Sequence, residues 1–170
     1  DWNNYFNIRI YTIMENTVLD FLNQHKISFE EYKHPALFTV AEAQAYEREI
    51  PGTHTKNIFV KQKRWPFHLI TLLSNKQLDA KVFKLQSGIK DFSFASPEEL
   101  KEQLGVEPGS VGLFWLINNP NIKLWIDQDI RASEKSGRHP NINTSTLVLT
   151  KKWLQDYLKV LAINYKVGIL

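Results

Sequence analysis

The stretch TKNIFVKQKRWPFHLITLL, residues 55–73, decides the fold. Ile58-Phe59-Val60 and Phe67 to Leu73 are two apolar runs of strand length, rich in β-branched and aromatic residues. The polar segment Lys61 to Pro66 lies between them, so the two runs read as a hairpin. Upstream, Val18, Leu19, Phe21 and Leu22 share one face at helical spacing within residues 15–25, and residues 28–32 follow as a short strand. Thr39 with Glu42 three residues on is a capping box, and the helix it opens should stop near Pro51-Gly52. Downstream, a helix is expected over residues 79–85. Ser96-Pro97-Glu98-Glu99 opens another that runs through Leu104. After a turn at Pro108-Gly109, Val111 to Ile117 and Lys123 to Ile126 read as a second hairpin, turned at Asn118 to Asn121. Thr144 to Leu149 is a last strand, and Thr150 caps a terminal helix over residues 151–161. The class is α+β, a single domain with a mixed or antiparallel β-sheet packed with helices.

Composition bounds the rest. A chain of 170 residues with 43% hydrophobic and 12% aromatic residues can close one core, and two independent domains are not expected. No apolar run approaches the roughly 20 residues of a membrane-spanning helix. The absence of cysteine excludes disulfides, thiolate metal sites and a cysteine nucleophile, and fits a cytoplasmic setting. A net charge of +3 favours a nucleic-acid partner only mildly. Residues 1–13 precede the sole methionine, Met14, and read as an extension. Residues 14–163 read as the domain and residues 164–170 as a C-terminal tail.

His25, His34, His54, His68 and His139 show no pair at the three- or four-residue spacing of a helical metal site, and phosphate-loop and serine-elbow motifs are absent. Three local features remain. Lys56-Asn57 stands just before the apolar core of its strand, where a cation and an amide can hold a carbonyl, phosphate or oxyanion, although such a lysine is ordinarily a solvated surface group. The stretch from Gly105 to Leu113 is glycine-punctuated, so its N–H groups could line a pocket or serve a plain turn. His139-Pro140-Asn141, with Asn143 and Thr144, gathers a titratable ring, amides and a hydroxyl ahead of a strand.

In this order, HPALFTVAEA (residues 34–43), TKNIFVK (55–61), FSFASPEEL (92–100), LGVEPGSV (104–111) and HPNINTSTLVL (139–149) resemble the YbaK/prolyl-tRNA-synthetase-associated superfamily. The resemblance is to its free-standing ProXp-ala (PrdX-like) branch. It implies an editing-domain fold that hydrolyses the ester of a small amino acid wrongly attached to tRNA, typically alanine on proline tRNA, without metal or organic cofactor. It implies that Lys56, Asn57 and His139 act on the aminoacyl end. The glycine loop Gly109, Ser110, Val111, Gly112 and Leu113, with Thr55 and Asn143, would form the substrate pocket. A proline-shaped synthetase site rejects a smaller amino acid by only about 1 to 3 kcal/mol per missing methylene, so a second sieve is needed. Lys61, Lys63, Arg64 and Arg138, with Arg131 and Lys135 nearby, are expected contacts to the tRNA acceptor stem. Prolyl-tRNA synthetase or elongation factor would be further partners. Two departures adjoin the pocket: Gly112-Leu113 stands where relatives carry serine or threonine followed by proline, and Arg138 where they carry phenylalanine. They leave open the editing of another mischarged pair, such as cysteine or serine on tRNA, or an inactive module that binds tRNA or a synthetase.

Overall fold

The computed structural model describes residues 17–37, 40–63, 65–141 and 144–170. Its elements run, in chain order, α1 (residues 17–24), β1 (Glu30–Lys33), α2 (Val40–Glu47), β2 (Thr53–Lys61) and β3 (Phe67–Leu73). There follow α3 (Ala80–Ser87), β4 (Ser93–Phe94), α4 (Pro97–Leu104), a 3-10 turn (Leu113–Ile117) and β5 (Lys123–Asp127). The chain closes with α5 (Gln128–Ala132), β6 (Lys135–Arg138), β7 (Ser145–Thr150), α6 (Lys151–Val160) and β8 (Tyr165–Gly168).

The hairpin that opened the reading is the centre of the molecule. β2 and β3 pair antiparallel from Thr55 opposite Leu73 to Lys61 opposite Phe67. The strands order as β1-β7-β6-β2-β3-β5-β8, with β4 on β2, into one mixed sheet. β2 meets β6 in parallel through only two pairs, Thr53 with Ser136 and His54 with Gly137. Apolar side chains leave the sheet on both faces, which explains why β3 is buried along nearly its whole length and does not alternate between apolar and polar residues. On one face Phe59, Leu69 and Leu147 pack with Leu22 of α1, Leu104 of α4 and Trp153, Leu154 and Tyr157 of α6. On the other, Val60, Ile70, Leu72 and Trp125 pack against Phe83 of α3. Each such side chain contributes roughly 1.5 to 3 kcal/mol on leaving water.

Two caps form as the sequence implies: Ser96 and Glu99 make a reciprocal capping box, and the Thr150 hydroxyl accepts from Trp153 N–H. The structure adds a third, since the Asp79 carboxylate accepts from the N–H groups of Lys81 and Val82. The capping box read at Thr39 lies outside the described residues.

Three expectations are corrected. Leu113–Ile117 is a 3-10 turn rather than a strand, so the second hairpin does not exist. Leu113, Phe114, Trp115 and Leu116 are all buried, and a short apolar run buried all round carries no period by which to tell strand from helix. β5 instead pairs in parallel with β3 and β8. β8 is the second correction, since residues set apart as a tail supply an edge strand. The buried Asp127 carboxylate ties it down, accepting from Leu170 N–H (3.2 Å), Asp129 N–H (2.9 Å) and Lys76 Nζ (2.5 Å). The third is that β2 begins at Thr53, well before its apolar core, so Lys56 and Asn57 lie within the strand.

Candidate active site

Where β2 begins and β6 ends, the chain leaves a cleft of about 890 Å³. Its walls are the last turns of α2, residues 53–57 of β2, the turn after β3, the glycine loop and the His139 corner. This volume suits a ligand larger than a free amino acid.

The cleft gathers most of the residues singled out in the sequence. Lys56 is half-buried on its wall, and its ammonium group makes no ion pair or hydrogen bond among the described residues. Asn57 is held by Thr71, whose hydroxyl donates to its amide oxygen. The free end of Asn57 is therefore its NH2, a donor. His139 donates from Nδ1 to Ser145 C=O (3.0 Å), so the neutral ring keeps a lone pair on Nε2. The ring's enclosure by the cleft walls holds its pKa below the ordinary histidine value; the Ser145 bond opposes that shift, while nearby His34 adds to it. The His34 ring stands edge-on to it at 6.0 Å and binds Thr146 Oγ1 (3.0 Å), which fixes the corner from behind.

The glycine loop borders the cleft from Gly109 to Leu113. Gly109 has φ +87°, a left-handed conformation that favours glycine. The N–H groups of Val111 and Gly112 bind nothing among the described residues and are free to donate. Ser110 contributes its backbone, with its carbonyl accepting from Trp115 Nε1 (2.8 Å). Leu113 does not wall the pocket with its side chain, which lies in the core at 1% exposure. Thr55 borders the cleft, but its hydroxyl is committed to Gly137 C=O (3.3 Å) and pins β2 to β6.

Two of the cations expected at the acceptor stem or near it are ion-paired. Lys61 is paired with Glu99, and Lys135 with Glu30 (2.7 Å). Arg138 is 4% exposed, reaches Thr55 Oγ1 with one nitrogen (3.4 Å) and lies over the Trp153 ring, so it is no surface contact. Its neighbours in β6 turn it inward, a direction invisible in a strand that the sequence did not reveal. Lys63 is exposed at the hairpin tip, away from the cleft lining, while Arg64 and Asn143 lie outside the described residues.

Sequence reasoning passed over Glu47 and Arg48 at the end of α2, His54, and Ser74-Asn75, all of which line the cleft. One signal was present. In an antiparallel hairpin the polar pair that follows β3 must return beside the start of β2, and Ser74 N–H indeed donates to His54 C=O (2.9 Å).

The model of the aminoacyl-tRNA editing domain matches residues 34–157. The chain belongs to this family. Among relatives of this editing domain, the prolyl-tRNA editing protein ProX of Acetoanaerobium sticklandii is 24% identical over 155 residues, covering 89% of this chain and 94% of that protein. The prolyl-tRNA synthetase associated domain-containing protein 1 of Mus musculus is 28% identical over 138 residues, covering 78% and 80%. A solved structure, hypothetical protein APE2540, shares the fold with a TM-score of 0.72 at 19% identity, over 89% of this editing domain and 97% of that chain.

Proposed function

We propose that this chain is a trans-editing deacylase that hydrolyses the ester between a mischarged small amino acid and tRNA, with alanine on proline tRNA as its substrate, as in the ProXp-ala branch. The observation that carries the reading is the convergence of an unpaired Lys56, the Asn57 NH2 and the free Val111 and Gly112 N–H groups on one cleft. These are donors suited to an anionic tetrahedral intermediate, and preorganised donors of this kind act without reorganisation as charge develops. Water attacks the ester carbonyl, and the intermediate collapses with release of the ribose oxygen, which takes a proton. His139 Nε2 accepts a hydrogen bond from the attacking water or from the neighbouring ribose hydroxyl and so orients the reacting end.

Arg48, exposed on the cleft rim, contacts the acceptor-end phosphates, while Lys56 faces the reacting carbonyl. With so few phosphate contacts, tRNA binding is weak and only shallowly salt-dependent. Work alongside prolyl-tRNA synthetase fits this reading, and capture of elongation-factor-bound tRNA is a further route to the same ester.

The chemistry asks nothing of a metal or organic cofactor, and no group of three or more metal-binding side chains occurs among the described residues. The test is deacylation of alanyl proline tRNA in excess chelator, beside a panel of cysteinyl and seryl esters. Activity should persist with EDTA, and Lys56→Ala should lower kcat/KM by roughly 100-fold with the fold intact. Activity lost to EDTA and restored by zinc, or a near-normal Lys56→Ala, overturns the proposal.

A further inference from the structure

We propose that Glu47 receives the α-ammonium group of the aminoacyl ester, an inference that rests on the editing reading above. The cleft's other charged lining residues are cations, Arg48, Lys56 and Arg138, and Glu47 is the one carboxylate among its described lining residues. An aminoacyl ester brings two opposite demands to such a site. Its phosphates and developing oxyanion seek positive charge, whereas the ammonium group one carbon from the reacting carbonyl is repelled by it. A site built only of Lys56 and Arg48 would therefore bind the tRNA end and disfavour the charged amine.

Glu47 is placed to resolve that conflict. It is the last residue of α2, and the C-terminal end of a helix favours a cation. Ser74 Oγ donates to its Oε2 (3.2 Å), which fixes the carboxylate toward the turn after β3. Among the described residues its other oxygen has no partner, and no lysine or arginine pairs with it. Its charge reaches the His139 ring, where it opposes the loss of basicity that enclosure causes. Glu47 therefore acts as a positioning residue. It holds the amine to one side so that the carbonyl faces Lys56, Asn57 and the loop N–H groups, and it reads the free amine as a feature of the substrate.

The test compares alanyl and lactyl esters on the same tRNA, because lactyl replaces the ammonium with a hydroxyl of nearly equal size. Wild type should prefer the alanyl ester. Glu47→Gln, which keeps the Ser74 bond, should lower kcat/KM for the alanyl ester roughly 10- to 100-fold more than for the lactyl ester, the range of one charge-assisted hydrogen bond. Glu47→Asp should recover part of the preference. Equal loss on both esters would mark a structural role, and no loss on either would mark no role; each overturns the proposal. If wild type cleaves neither ester, the editing reading fails separately. The amide-linked alanyl adenosine and its lactyl counterpart then decide by binding, with a Glu47-dependent preference for the amine supporting the inference and equal or absent binding overturning it.

Discussion

Arg138 is a charge in the wrong place by the ordinary rules of burial. Its Nε and Nη2 have no hydrogen-bond partner and no carboxylate faces it among the described residues, yet it keeps its proton at neutral pH. Burial lowers its pKa only to about 10, with Tyr157 opposing. Even a buried ion pair can often be replaced by apolar side chains of similar volume with no loss or a gain of about 1 to 4 kcal/mol, and Arg138 has no paired carboxylate among the described residues to lose. Arg138→Met should accordingly unfold at the same temperature as wild type or higher, measured by thermal melting. A fall of several degrees would show that the guanidinium has a partner worth more than its desolvation. The sequence made Arg138 look like a surface contact because a single residue letter carries charge but not direction. Lys56 and Asn57 taken alone read as readily as a solvated strand end; only their place among the five ordered blocks of the family resemblance marked them out.

Among the elements, those with local chemistry were legible and those with long-range partners were not. Capped helices such as α3, α4 and α6 declare themselves through two or three neighbouring residues. β6 and β8 have polar or exposed patterns and exist because distant strands accept them, which no local period reveals. The 3-10 turn falls between these cases. At its entry Gly112 has φ −144° and ψ 162°, extended backbone open to any residue. A Cβ there would lie 3.5 Å from Asn141 Oδ1, in ordinary contact. That oxygen is buried and lacks a hydrogen-bond partner among the described residues. Gly112→Ser should place a donor within its reach and raise the unfolding free energy by about 1 kcal/mol in urea titration. A destabilised variant would mean that Asn141 is already satisfied. Proline at position 113, by contrast, would empty the core site filled by Leu113 and leave a cavity.

At the scale of the molecule, the cleft straddles a seam. One half of the sheet is β1, β7 and β6, the other is β2 with its remaining partners, and two residue pairs join them. The α+β class was legible from the pattern of elements, but this junction was not, because it depends on β6. His139 lies beyond the seam on one side and Lys56 on the other, so a substrate held by both residues bridges the halves. Backbone amides there should therefore report on binding without any label on the ligand. In deuterium exchange the Thr53 to His54 and Ser136 to Gly137 segments should take up label sooner than the seven-pair ladder of β2 and β3, because fewer bonds must open together. An amide-linked aminoacyl adenosine should slow uptake at that seam and leave β5 and β8 unchanged. Uniform protection with and without the analogue would mean that the halves move as one rigid plate, and that the cleft is cut to its width before any substrate arrives.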